Sequence, residues 1–372
     1  MIEAFTKPLL LPCGAVLRNR FAKAAMTEGL ADDKNRATER HARLYRRWAG
    51  GGAGLLLTGN VQVDRRFLER AGNIAIDGNG GLDEFKKMAS AATSTGAHCW
   101  VQINHPGRQA AIGAEQFVAP SPVALSFPGS PVPRELTEAE IVDLVRRFAH
   151  VATVSRDCGF TGVQVHAAHG YLLSQFLNPR TNHRQDAWGG SLDNRARLLL
   201  EIIAATRRAV GGDFPISVKL NSADFQRGGM TEQESVRVAT WLGEHGIDLI
   251  EVSGGNYESQ EMIGFANGDA PKQKPRESTA QREAYFLDYA EKVRPATSVP
   301  LMITGGFRSA AVMEKALASG AMDVIGLARP FGADPDVCAR LISGELAAAP
   351  APENRVRLNR SAYGEIAEEE FQ

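Results

Sequence analysis

The chain has 372 residues, long enough for two average domains or one large α/β barrel, and 44% of them are hydrophobic, ample for a sizeable core. A net charge of −1 with no long Lys/Arg run speaks against a dedicated nucleic-acid or membrane-surface binder. Cys13, Cys99, Cys158 and Cys338 are scattered without a C-x-x-C, which suits a reducing compartment, and no apolar stretch reaches transmembrane length, so a soluble, cytoplasmic protein is expected.

The N-terminal run Pro8-Leu-Leu-Leu-Pro12 is too short and proline-broken for a signal peptide. With the following Cys-Gly-Ala-Val it reads as a hairpin plugging the bottom of a barrel. Short β-rich runs then alternate with longer helical patterns. Strands are expected at Arg20–Ala25, Gly54–Thr58, His98–Ile103, Gly162–His166, Ile216–Leu220, Leu249–Ser253, Leu301–Thr304 and Val324–Leu327. Helical patterns lie near Thr38–Ala49, Leu82–Thr95, Thr137–Cys158, Asn194–Val210, Thr231–His245, Ala280–Val293, Ser309–Ser319 and Asp336–Ile342. Thr137-Glu-Ala-Glu140 and Thr231-Glu-Gln-Glu234 match the capping box, while Gly246 and Gly320 stand as C-terminal stops.

Eight consecutive βα units predict an α/β fold, a (βα)8 TIM barrel with an N-terminal hairpin and long βα-loop insertions. A minimal barrel needs about 250 residues, so the excess is assigned to decoration. The long insertions follow strand three (His105–Leu136), strand four (Ala167–Asp193) and strand six (Gly254–Thr279), all at the C-terminal face where barrels keep their chemistry. Residues 1–372 are expected to form one domain, with a looser tail from about 347. The proline-rich segment from Ala119 to Pro133 reads as an irregular lid.

The richest stretch is His166-Ala-Ala-His169-Gly-Tyr171, directly after the apolar run Gly162-Val-Gln-Val165. Two imidazoles three residues apart are expected on one face of a helical turn, with a phenol beyond them. Imidazole N–H groups can hold a developing negative charge, and a phenol can deliver a proton. The pair can equally be a metal half-site or two satisfied histidines at a strand end. The zinc-protease signature is missing, since Ala167 follows His166, and no other ligand lies at zinc spacing on this turn.

Other strand ends add polar groups to the same face. Strand one ends in Ala25-Met26-Thr27, strand two in Thr58-Gly59-Asn60, strand three supplies Gln102, and strand five supplies Lys219. An unpaired buried ammonium is costly, so Lys219 is expected to meet an acceptor or anion on a cofactor. Ser253-Gly254-Gly255, Gly305-Gly306 and Ala328-Arg329 resemble a phosphate cradle, with bare glycines, helix starts and a guanidinium. A phosphate at one end, with amide and ammonium groups along the cavity, describes a mononucleotide, and flavin fits best.

These blocks resemble the Old Yellow Enzyme family of FMN-dependent ene-reductases, within the broader NADH:flavin oxidoreductase group. The resemblance rests on Gln102-Ile-Asn-His-Pro-Gly-Arg108, on His166 through Asn178-Pro-Arg-Thr-Asn-His-Arg184, and on Trp188-Gly-Gly-Ser-Leu-Asp-Asn-Arg195. Gly255-Asn-Tyr-Glu258, Arg282-Glu-Ala-Tyr-Phe-Leu287 and Gly326-Leu-Ala-Arg-Pro330 extend it, over about residues 20–335. It implies a noncovalent FMN, reduced by NADPH or NADH and reoxidised by an activated alkene or a quinone. It also implies that His166 and His169 bind the substrate carbonyl and Tyr171 donates the proton. Ala25, Met26, Thr27, Gly59, Gln102, His166 and Lys219 then contact the flavin, and Ser253, Gly254, Gly305, Gly306, Ala328 and Arg329 its phosphate. Ala25 stands where the family often has proline, Gly59 where it often has alanine, and Ala328 where glycine often precedes the arginine. Gly29 replaces a tyrosine that some members carry, which bears on the substrate pocket. The expected partners are a small-molecule enone or quinone, with no metal, nucleic acid or membrane, and the oligomeric state, a homo-oligomer included, stays open. Rival readings are a trimethylamine-dehydrogenase-like or dienoyl-CoA-reductase-like flavoprotein, a metal-dependent hydrolase, and a non-enzymatic flavin protein.

Overall fold

A computed structural model describes residues 2–111, 116–224, 228–253 and 287–352. Eight parallel strands close on themselves: β1 (Phe21–Lys23), β2 (Leu55–Gln62), β3 (His98–Asn104), β4 (Gly162–Ala167), β5 (Ile216–Asn221), β6 (Leu249–Ser253), β7 (Leu301–Thr304) and β8 (Val324–Leu327). Pairing of β8 with β1 (Ile325 opposite Phe21) and of β1 with β2 completes the ring. The (βα)8 barrel expected from the alternation is therefore the fold. Four strands run on past their expected ends: β2 through Gln62, with an irregular register between Leu57 and Asn60, and β3, β4 and β5 by one residue each, to Asn104, Ala167 and Asn221.

Period-two alternation explains the two cores. Residues pointing outward from the strands, such as Val163, Val165, Val218 and Ile303, pack under the helices. Inward residues near the strand starts, among them Ala22, Leu55, Leu57, Trp100, Leu249, Met302 and Val324, form a separate cluster with Leu9, Leu11 and Leu17. Those leucines belong to the antiparallel hairpin Leu9–Leu10 with Val16–Leu17, which caps the barrel bottom as expected. With the bottom sealed by apolar side chains, the polar inward residues lie toward the other mouth.

The helices begin and stop where local chemistry says they should. Helix Glu138–Asp157 starts at a capping box in which Glu140 N–H donates to Thr137 Oγ1 and Thr137 N–H donates to Glu140. Helix Glu232–Glu244 repeats this with Thr231 and Glu234. Gly246 and Gly320, just beyond their helices, have φ of 73° and 74°, the left-handed turn that glycine adopts without strain. The expected helix at Ala280–Val293 is described from residue 287 onward. The lid segment is held by a two-residue ladder, Val118–Ala119 with Arg134–Glu135. Arg184 tethers it further, donating to Pro120 O and to Leu136 O at 2.7 Å.

Candidate active site

The histidine pair meets, though not on a helix. His166 is the fifth residue of β4, while His169 lies beyond the strand with φ of 61°, a left-handed conformation that few non-glycine residues adopt. Tyr171 then caps the short helix Leu172–Leu177. The expected helical turn is thus replaced by a strand that runs on through Ala167 and a sharp reversal over His169 and Gly170 (φ of 74°). That reversal brings the rings together, His166 edge-on to His169 at 5.1 Å and to Tyr171 at 4.9 Å between centroids. The strained residue is held from two sides: its N–H donates to Asn221 Oδ1 at 3.1 Å, and its Nε2 lies 2.8 Å from Ser253 Oγ.

Both rings are neutral. Burial pushes each imidazole well below its usual range, and the nearby Lys219 ammonium adds to the effect; His166 also feels His169. His166 Nδ1 accepts the N–H of Ala168, so the proton of the neutral ring sits on Nε2 and makes that atom a donor. Among the described residues no group of His, Cys, Asp and Glu is arranged to hold a metal ion.

Lys219 stands opposite His166 in register and is buried. Its partner departs from expectation, because the protein itself supplies an anion: Lys219 Nζ lies 2.9 Å from Glu251 Oε1 on the adjacent strand, with Glu251 fully buried. Glu251 Oε2 accepts from Gln164 Nε2 at 2.8 Å, and Gln164 Oε1 accepts from Gln102 Nε2 at 2.6 Å. Gln102, Gln164, Glu251 and Lys219 thus form one buried polar chain across β3 to β6. Gln164 and Glu251 escaped sequence reasoning, since in the sequence each is one polar residue within an apolar strand.

Around the mouth, Ala25, Met26, Thr27, His169, Thr304, Gly305 and Ala328 are half-buried. Thr27 Oγ1 donates to Glu69 at 3.0 Å, and Asn60 Nδ2 also donates to Glu69. Gly59 is buried and packed against the β1 loop; a Cβ there would meet Glu28 Oε2 at 2.2 Å and Met26 O at 2.6 Å. Glu28 fills that space because its Oε1 accepts from Gly59 N–H and from Tyr45 OH. Gly305 and Gly306 have φ of 114° and 83° at the end of β7, and Arg329 is exposed at the start of the turn of helix after β8. Gly254, and with it the blocks 255–258 and 282–286, lies outside the described residues.

These residues fit a flavin. Thr304 Oγ1, beside the glycine pair, is a buried hydroxyl with no partner among the described residues, an orphan that a bound oxyanion would satisfy. Lys219 and the carbonyl oxygen of Gln102 give a donor and an acceptor at the other end, which matches the edge of a flavin pyrimidine.

Comparison with known proteins agrees with this chemistry. A family model described as NADH:flavin oxidoreductase / NADH oxidase matches residues 7–346. An NADH-dependent flavin oxidoreductase of Hypocrea jecorina (strain QM6a) is 38% identical over 350 residues, covering 88% of this chain and 86% of that protein. The structure of a 2-naphthoyl-CoA reductase bound to 2-naphthoyl-CoA superposes with a TM-score of 0.85 at 28% identity, over 94% of this chain and 54% of that one. An old yellow enzyme homologue from Zymomonas mobilis shares the fold with a TM-score of 0.78 at 24% identity, over 97% and 98% of the two chains.

Proposed function

Since the chain belongs to the NADH:flavin oxidoreductase / NADH oxidase family, and is on that ground an NAD(P)H-dependent flavin oxidoreductase, we propose that it binds FMN noncovalently and reduces the activated C=C bond of α,β-unsaturated carbonyl compounds, with quinones as further acceptors. The observation that carries this reading is the convergence of His166, His169 and Tyr171 on one barrel mouth beside Lys219. FMN, when bound, would supply the hydride chemistry that links oxidation of NAD(P)H to reduction of the substrate's β-carbon.

The chain's own residues do the rest. Gln102 and Lys219 hold the pyrimidine end, Ala25, Met26, Thr27 and Gly59 shape the wall, and Ser253, Gly254, Gly305, Gly306, Ala328 and Arg329 take the phosphate. His166 and His169 donate hydrogen bonds to the substrate carbonyl oxygen. As neutral donors in a dry site they stabilise the enolate-like charge that grows on that oxygen as hydride arrives. Tyr171 is the proton donor to the α-carbon.

Phenols test the pair directly, because a phenolate places its oxygen where the substrate oxygen would sit. The FMN-loaded wild type should develop a long-wavelength charge-transfer band on titration with a phenol. His166→Ala and His169→Ala should each weaken binding, since a hydrogen bond to a charged group is worth about 1.5–3 kcal/mol. Equal affinity in all three proteins would remove the pair from the oxyanion site, and a wild type that takes up no FMN would end the flavin reading.

A further inference from the structure

The buried chain Gln102–Gln164–Glu251–Lys219 contains a carboxylate whose hydrogen-bond and ion-pair partners among the described residues are Lys219, a residue of the proposed flavin site, and Gln164, which is bonded to another, Gln102. We infer that Glu251 is the positioning residue of that site: it fixes which way the two amides point and counterbalances the charge that Lys219 presents to the flavin. The inference rests on the flavin reading above and goes beyond it.

The first half follows from donor and acceptor inventories. An ionised carboxylate only accepts hydrogen bonds, whereas an amide has one accepting and one donating end. Glu251 Oε2 therefore obliges Gln164 to turn its NH2 group inward, at 2.8 Å. Gln164 must then offer its oxygen to Gln102, which turns its own NH2 toward Gln164 at 2.6 Å. Gln102 is left with its carbonyl oxygen as the free acceptor, the group required by a ring N–H. Amide orientation is ordinarily ambiguous, but in this chain the terminal carboxylate removes the ambiguity. A glutamine at 251 would permit both orientations along the whole series.

The second half is electrostatic. Glu251 and Lys219 occupy the same register on adjacent strands, 2.9 Å apart, with side chains 0% and 5% exposed. In so dry a setting a charge acts over several ångströms with little screening. A flavin beside Lys219 consequently meets an ion pair rather than a lone cation. Reduction adds negative charge to the ring system, so Glu251 restrains a gain that Lys219 favours.

The decisive measurement is the midpoint potential of the FMN-loaded protein, read by spectroscopic titration against a reference dye, for wild type, Glu251→Gln, Lys219→Gln and the double variant. Glu251→Gln should raise the potential, with the preference for reduced over oxidised flavin growing about tenfold or more. Lys219→Gln should lower it, and the double variant should lie between the two. A purely structural role for Glu251 would alter stability and leave the potential in place. An unchanged potential in Glu251→Gln with FMN bound overturns the inference. If that variant folds without flavin, the charge-neutral double variant decides: a potential as low as that of Lys219→Gln alone overturns the inference, and one restored toward wild type supports it. A wild-type protein that takes up no FMN overturns the flavin reading itself, and this inference with it.

Discussion

Tyr171 and Gly59 show how far a single residue can be argued. Tyr171→Phe removes one hydroxyl and keeps the ring that packs edge-on against His166 at 4.9 Å. FMN binding and reduction by NAD(P)H should be little changed, while reoxidation by cyclohexenone slows by about 10²–10⁴-fold, the usual contribution of general acid catalysis. Reoxidation by a quinone should survive better, because its oxygens take protons from solvent. Stopped-flow measurement of each half-reaction separates these outcomes, and an unaltered enone step would give the proton another source. Gly59→Ala carries a different expectation. The added Cβ would meet Met26 O at 2.6 Å as well as the Glu28 carboxylate. Backbone cannot swing aside as a flexible side chain can, so the β1 loop must shift. A loss of about 1–3 kcal/mol of stability is expected from such overpacking, together with weaker FMN retention. A denaturant titration showing wild-type stability would mean that the loop yields freely.

At the scale of elements, the family blocks after β4 turn out to be largely architectural. Asn182 Nδ2 donates to Phe176 O and Trp188 O, both at 2.8 Å, and Arg184 ties the lid to the barrel. Arg195, buried on helix Leu192–Val210, donates to Leu177 O and reaches Glu234 Oε1 at 2.5 Å. Glu234 therefore serves two elements at once, as the third residue of one helix and the ion partner of its neighbour. Thr231→Ala removes only the cap and should cost about 1 kcal/mol. Glu234→Ala also strands a buried guanidinium, for which about 3–5 kcal/mol is typical, lessened here because the Glu234 side chain is 27% exposed. Urea unfolding of both variants, each saturated with FMN so that ligand binding does not distort the comparison, should rank them in that order. Equal losses would show that the Arg195 contact adds nothing.

Over the whole molecule, several buried and half-buried histidines share one electrostatic fate. Burial lowers His41, His98, His166 and His169, and pushes His105 down to about 4. An unfolded histidine takes up its proton near pH 6.5, so below that pH the unfolded chain binds more protons than the folded one. Stability is therefore fully present above about pH 6.5 and drains away as pH falls, with His105 alone worth about 3 kcal/mol by pH 4. The carboxylates act lower: Glu140, held down to about 2 by Arg134, loses its contribution only below about pH 4.5. Urea midpoints should accordingly fall between pH 7 and pH 5, a window that belongs to the histidines. His105→Phe, which keeps an aromatic ring against Phe67, should flatten that slope. A midpoint independent of pH in this window would contradict the shared desolvation.

What could be read without the structure was local or periodic. Each barrel strand betrays itself by a short apolar run, and helix starts such as Thr137 and Thr231 by a cap whose partners lie three residues away. The cluster of His166, His169 and Tyr171 was legible because all three fall within a few residues of one another around the end of one strand. Its geometry was not, since the left-handed backbone of His169 is held by Asn221 and Ser253, which belong to other strands. Lys219 could be recognised as needing a partner, but that Glu251 is that partner depends on the register between β5 and β6. The same holds for Glu28, whose carboxylate occupies the space beside Gly59. Alternation and capping are properties of neighbouring residues, so the amino-acid order alone determined the barrel and the location of its chemistry. Which polar side chains meet inside it depends on how eight strands are staggered when the ring closes, and only the tertiary structure decided that.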